Sequence, residues 1–163
     1  MSNYPLYFAF KQVVVGKAFR ALIEAKGRVL MVKENDKYWL YGVQPGGMAA
    51  SGETMGAGLQ NFGTAFKNIL LDIAAESQTA DEFRKVVRDF FTSIDEEDAN
   101  AWETARNEVR SEKTKCPDDI SNLRKETSNL DCTIDIVLIR KKDDLNIGKK
   151  DILTRGDLYQ CAA

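Results

Sequence analysis

The sequence predicts a single α+β domain, and three observations lead to this class. Short β-rich runs follow one another near the N-terminus, a long amphipathic helical pattern comes next, and a further β-rich run lies late in the chain. Runs of strands followed by runs of helices are typical of α+β proteins. The chain has 163 residues, which suits one domain built around one core.

The first β-rich runs span residues 18–25, 28–34 and 38–44, and they are separated by Lys26-Gly27 and by Asn35-Asp36-Lys37. In the first run apolar and polar side chains alternate, as they do in a half-buried strand. Turn residues between short β-rich runs indicate reversals of the chain. These residues therefore predict a three-stranded antiparallel meander.

Two segments flank this meander. Residues 6–15 before it are also strand-like and predict an additional edge strand. Pro45-Gly46-Gly47 ends the third strand, because proline donates no ladder hydrogen bond and paired glycines permit unusual backbone angles. We expect a turn there rather than a phosphate-binding loop, since the spacing fits neither G-x-G-x-x-G nor a P-loop.

Three helices are predicted after this turn, and the first two have a threonine that can cap the N-terminus. Thr54 precedes the longest apolar stripe, Thr79 precedes the second, and a third helix begins near Asp95. The stripes recur at three- and four-residue spacing. Their members are Met55, Leu59, Phe62, Phe66, Ile69, Leu70 and Ile73, then Phe83, Val86, Val87, Phe90 and Phe91, then Trp102 and Val109.

The late part of the chain predicts a final strand and a basic tail. Residues 116–129 are polar and predict an irregular connection, and Thr133 to Ile139 is β-rich. In the tail that follows, six basic residues outnumber three acidic ones and are the candidate contacts to nucleic-acid phosphates. They are Arg140, Lys141, Lys142, Lys149, Lys150 and Arg155.

The overall charge limits what this tail implies. The chain has 23 Lys and Arg against 25 Asp and Glu, a net charge of −2. No global basic field draws such a chain to nucleic acid, so any contact must be local. A solvated, flexible end is the alternative interpretation of the tail.

The composition argues against most enzymatic chemistry. The chain contains no histidine, which removes the commonest general base and most transition-metal sites. We therefore expect a non-catalytic protein with no cofactor and no bound metal. The alternative is a magnesium-dependent, nuclease-like site built from the carboxylates of Glu53, Asp131 and Asp135.

Cysteine usage and the N-terminus predict a cytoplasmic protein. Cys116, Cys132 and Cys161 are odd in number and widely spaced, so we expect reduced thiols rather than a disulfide framework. Residues 1–10 contain no basic region ahead of an apolar stretch, and no apolar run is long enough to span a membrane. We expect neither secretion nor a membrane anchor.

Trp39 and Tyr41 are the candidate partner-binding residues. They alternate along the third predicted strand and share one of its faces. Aromatic residues of this kind are frequent anchors of protein interfaces, although core packing is the commoner role.

The stretch from Trp39 to Thr54 resembles the HicB-like antitoxin family. In that family an aromatic strand, a proline-glycine turn and a small-residue strand come first, and glycine, an acid and threonine then begin a helix. Pro45, Gly52 and Thr54 match that pattern, and Glu53 keeps the acid. The resemblance implies an antiparallel β-β-β-α-β core.

The resemblance also implies an organisation for the chain. The core would cover residues 18–77 and a strand at about 131–140, with a helical insertion at about 79–112 and the basic tail at 141–163. Its implied function is to bind and neutralise a partner protein such as a small ribonuclease toxin, as a dimer. The alternatives are a nucleic-acid-binding regulator that uses the tail and the magnesium-dependent, nuclease-like enzyme. Many members of the family append a DNA-binding helical motif, but none is visible after Ile139, which argues against direct DNA binding of that kind.

Overall fold

The computed structural model describes residues 2–121, 133–139 and 158–162 of the chain. The strands are β1 (Ser2–Val15), β2 (Arg20–Glu34), β3 (Lys37–Gln44), β4 (Gly46–Gly52), β5 (Thr133–Leu138) and β6 (Leu158–Cys161). The helices are α1 (Met55–Glu76), α2 (Ala80–Thr92), α3 (Glu96–Arg110) and the single-turn α4 (Asp118–Ser121). The α+β class predicted from the sequence is therefore confirmed.

The strands form one antiparallel sheet in the order β4-β3-β2-β1-β6, with β5 also paired to β2. Its centre is the long hairpin of β1 and β2, whose register runs from Ser2 opposite Lys33 to Val15 opposite Arg20. The other edge of β2 has two partners. Its first part, Ala21–Lys26, pairs with β5, and its second part, Arg28–Glu34, pairs with β3.

The predicted turn at Lys26-Gly27 is wrong, because β2 runs through both residues as one strand. Gly27 lies where the neighbour of β2 changes from β5 to β3. A Cβ atom at this position would collide with the carbonyl oxygen of Gln44 and would lie 2.7 Å from the ring of Phe8. The glycine is therefore explained by a close approach within the sheet rather than by a reversal of the chain.

Helices cover both faces of the sheet. We call the face under α1 and α2 the first face and the face under α3 the second face. On the first face, Phe62 and Phe66 of α1 pack around Phe8 of β1, and Phe83 of α2 packs on Phe19. Each buried aromatic ring of this kind stabilises the fold by roughly 1.5 to 3 kcal/mol relative to an exposed one.

The two predicted caps, Thr54 and Thr79, are present, and the structure adds a third at Asp95. The Thr54 side chain accepts a hydrogen bond from the N–H of Ala57, Thr79 accepts one from Glu82, and Asp95 accepts one from Asp98. Val86, predicted on the apolar face of α2, is instead 39% exposed. Helices α2 and α3 lie within the predicted helical insertion at about 79–112.

Within the part of the chain that the structure describes, no helix is long and apolar enough to cross a membrane.

Candidate functional site

Strand β3 presents two aromatic rings side by side on the second face. Trp39 and Tyr41 stand two residues apart, their ring centroids lie 6.5 Å apart, and their planes differ by 11°. The Nζ atom of Lys37, the preceding residue on the same face, lies 4.9 Å from the centroid of the Trp39 ring. Both rings are half-buried. We call Lys37, Trp39 and Tyr41 the aromatic face.

The strand beside the aromatic face carries small side chains. Ser51 of β4 lies opposite Trp39, and Ala49 lies opposite Tyr41. Directly opposed residues of an antiparallel pair share one face of the sheet. Side chains this short do not reach across the rings, so β4 does not cover the flank of the aromatic face that points to the edge of the described sheet.

Strand β4 is also the edge of the sheet formed by the described residues. Helix α1 caps part of this edge, because the Asn61 side chain donates a hydrogen bond to the carbonyl oxygen of Ser51 at 2.8 Å. An edge strand offers backbone N–H and C=O groups to another chain. The aromatic face therefore adjoins a strand that can accept a partner strand.

Helix α3 forms the inner boundary of the aromatic face. Trp102 is buried on the second face, where its ring packs edge-on against Tyr7 and its Nε1–H donates to the carbonyl oxygen of Leu6 at 3.2 Å. The guanidinium groups of Arg28 and Arg106 lie 5.2 and 5.6 Å from the centroid of the Trp102 ring. The contacts of Trp102 with Tyr7, Leu6 and Arg28 hold α3 against β1 and β2 and leave the outer part of β3 to one side.

The first turn of α3 places four acidic residues next to the end of β3, namely Asp95, Glu96, Glu97 and Asp98. The N–H of Asp95 donates to the carbonyl oxygen of Val43 at 3.2 Å, which fixes this turn two residues from Tyr41. Among the ion pairs formed by described residues, none involves these four carboxylates. They form a negative surface at one end of the aromatic face.

Burial, and then the nearby charges of Asp95 and Glu97, raise the pKa of the Asp98 carboxyl above its ordinary value. The physical cause is that burial penalises the charged form and that neighbouring negative charges repel it. The charged form of Asp98 is therefore disfavoured in the folded chain, even though the helix dipole favours acids at this end.

The other predicted site residues are placed only in part. The six basic residues of the tail, and Asp131, lie outside the described residues. Glu53 is exposed in the link between β4 and α1, and Asp135 is exposed on β5. No metal-binding group of three or more carboxylates or cysteines occurs in the ranges that the structure describes.

The expectation of separate, reduced cysteines is wrong for two of the three. Cys116 and Cys161 form a disulfide with a Cα–Cα distance of 6.4 Å across 45 residues of sequence. Their spacing in sequence gave no sign of this pairing, because the fold brings the segment after α3 next to β6. The cytoplasmic location stays a prediction.

Comparison of the chain with protein-family models, with curated proteins and with solved structures finds no match.

Sequence reasoning singled out the two aromatic residues but missed their surroundings. The position of the acidic turn beside β3 could not be predicted, because it depends on the packing of α3. The small residues Ala49 and Ser51 were visible in the sequence. Their alternation next to an aromatic strand is the signal that could have indicated an accessible face.

Proposed function

We propose that the protein is a non-catalytic binding protein that holds a partner protein against its aromatic face and the adjoining edge of β4. The observation that supports this most directly is the parallel pair of half-buried rings beside small residues on an edge strand. Tryptophan and tyrosine contribute large contact areas at low entropic cost, and they are enriched among residues that dominate interface energies.

The charge beside this face favours a basic partner. Four acidic residues stand at one end of the aromatic face, and no described cation is paired with them. Their field would attract a positively charged partner during encounter. The same field would disfavour acidic competitors. A nucleic acid would be repelled at this end, since its phosphates are negative.

The resemblance to HicB-like antitoxins supplies the finer form of the proposal. In that form the partner is a small ribonuclease toxin, the chain neutralises it by covering it, and the chain acts as a dimer in the cytoplasm. The match of Pro45, Gly52 and Thr54 to the family pattern supports this identification, and the edge strand beside the aromatic face offers a surface of the required kind.

The test is affinity capture of the tagged chain from its native cells, with and without nuclease treatment, followed by mass determination of the bound protein and analysis of any bound nucleic acid. We expect a stoichiometric, small, basic protein. The double variant Trp39→Ala/Tyr41→Ala should lose it, because both anchors of the interface are removed. Leu71→Ala is the matched control, since Leu71 is a 38% exposed hydrophobic residue of α1 away from this face.

A purified partner then allows the finer proposal to be tested. Its ribonuclease activity should fall in proportion to added chain and should persist with the double variant. Capture of nucleic acid alone would favour the regulator instead. A partner that binds wild type and double variant equally would refute the assignment of the aromatic face. Light scattering on the free chain measures its mass in solution and so tests whether it is a dimer.

A further inference from the structure

The disulfide joins the short strand β6 to the segment that follows α3. Cys116 is buried, with 6% of its surface exposed, whereas Cys161 is half-buried at the end of β6. Ile120 of α4, four residues beyond Cys116, is buried in the core of the first face. One end of the disulfide is therefore attached to the packed body of the protein and the other to a strand of four residues.

Strand β6 covers only a small part of β1. Its register pairs Leu6 with Cys161 and Ala9 with Leu158. The N–H of Ala162 extends this contact by donating to the carbonyl oxygen of Pro5 at 2.8 Å. A strand this short forms few ladder hydrogen bonds, so the covalent link supplies a large share of what keeps it in place.

The same strand connects the layers on the two faces of the sheet. On the first face, Tyr159 packs on Phe8, and its hydroxyl donates to the carbonyl oxygen of Leu59 in α1 at 3.0 Å. On the second face, Ala162 is buried in the cluster that contains Trp102. Displacement of β6 would therefore expose apolar surface on both sides of β1.

We propose that the Cys116–Cys161 disulfide is a redox clamp that holds β6 over the Leu6–Ala9 edge of β1, and that a dithiol reductant opens it. The opened edge would present unpaired backbone groups flanked by Leu6 and Phe8, which is a template for strand addition. This edge lies across the sheet from β4, so the inference does not depend on the function proposed for the aromatic face.

The reductive step balances as a two-electron exchange. One thiolate of the dithiol attacks Sγ of Cys161, the more accessible sulfur, and Cys116 leaves as a thiolate. The second thiolate of the reductant attacks its own sulfur in the mixed disulfide and releases Cys161. The reductant becomes a cyclic disulfide, and its two protons pass to the two cysteines.

The test is hydrogen exchange of the full chain, measured by mass spectrometry with and without dithiothreitol. In the oxidised protein, peptide mapping should find Cys116 joined to Cys161. On reduction, exchange should accelerate in residues 158–162 and in Leu6–Ala9 by about 30-fold or more. This factor corresponds to the lower end of the stability that is usually lost with a disulfide. The β2–β3 ladder should keep its protection.

Two variants complete the design. Cys116→Ser/Cys161→Ser should show the fast exchange without reductant, whereas Cys132→Ser should behave like wild type. Circular dichroism verifies that each variant is folded, and reduction of the wild type gives the same comparison if the double variant does not fold. Free thiols at both positions in oxidising buffer, unchanged exchange on reduction, or equal acceleration throughout the sheet would each overturn the proposal.

Discussion

Gly27 lies at the point of β2 where the neighbouring strand changes from β5 to β3. A side chain there would meet the backbone of Gln44, which is held in β3 and cannot simply rotate away. Gly56, in the first turn of α1, has open space around the position of a Cβ atom. The structure therefore excludes a side chain at Gly27 and has room for one at Gly56.

The substitution Gly27→Ala should lower the free energy of unfolding by about 1 to 3 kcal/mol, because the added methyl overpacks the junction of the strands. Gly56→Ala, its matched control, should raise that free energy by up to about 1 kcal/mol through helix propensity. Urea denaturation of both variants measures the difference. Equal stability of Gly27→Ala and wild type would contradict the close approach at the junction.

Asp98 illustrates a charge that the isolated fold disfavours. Burial and the charges of Asp95 and Glu97 raise the pKa of its carboxyl above the value it has in the unfolded chain. Ionisation of Asp98 therefore costs the folded state more free energy than it costs the unfolded state. The resulting loss of folding stability is absent at low pH and appears as pH rises through the ordinary carboxyl range.

We expect Asp98→Asn to be more stable than wild type at neutral pH, by less than about 1 kcal/mol because solvent screens the site. The gain should vanish below the pH at which an ordinary Asp carboxyl titrates. Glu96→Gln in the same turn is the control, and it should be neutral or slightly destabilising through loss of the dipole interaction. Thermal melts over a pH series provide the measurement, and a gain that persists in acid would count against this explanation.

At the scale of elements, α3 is attached to the second face chiefly through Trp102. The guanidinium groups of Arg28 and Arg106 both lie near the indole ring, and its N–H reaches the carbonyl oxygen of Leu6 across 96 residues of sequence. An aromatic ring without that donor would keep part of the packing and would leave the carbonyl oxygen without this partner.

Trp102→Phe should therefore destabilise the protein by about 1 to 3 kcal/mol, the usual cost of an unsatisfied buried polar group with some loss of packing. Hydrogen exchange should show faster opening of α3 than of α1. Trp39→Phe is the comparison, since its indole lies at the half-buried aromatic face, and it should change stability much less. Similar losses in both variants would show that Trp102 has no special role as an anchor.

Elements whose signals are local were predictable from the sequence, and those set by distant contacts were not. The caps at Thr54, Thr79 and Asp95 depend on hydrogen bonds within three residues, so the helices begin where the sequence places them. Lys26-Gly27 looks like a turn in the local sequence. The glycine is explained instead by the close approach of Gln44, which lies in another strand. The same limit hid the partner of Cys116 and the face of the sheet on which the predicted third helix packs.

At the scale of the whole molecule, one sheet separates two apolar clusters. Alternate residues of β2 belong to each, with Met31 in the cluster of the first face and Leu30 and Val32 in that of the second. Because both clusters share the backbone of the same strand, unfolding of that strand disrupts both clusters together.

We expect a single cooperative unfolding transition under oxidising conditions. Tryptophan fluorescence reports the second face, where Trp39 and Trp102 lie, and far-ultraviolet circular dichroism reports mainly the helices, of which α1 is the longest. The two curves should coincide in guanidinium chloride. A fluorescence transition at lower denaturant would show that α3 opens as a separate unit.

The position of β5 and β6 bears on the order in which the chain acquires its structure during synthesis. Both strands pair with the β1–β2 hairpin, yet the ribosome makes them only after helices α1 to α3, and the partner of Ile23 is Ile136. Closure over so long a separation is entropically slow, whereas the β1–β2 hairpin needs only neighbouring residues. The nascent chain therefore carries an apolar hairpin with partly unpaired edges until β5 and β6 have been made, and this interval is when we expect the protein to depend most on chaperones.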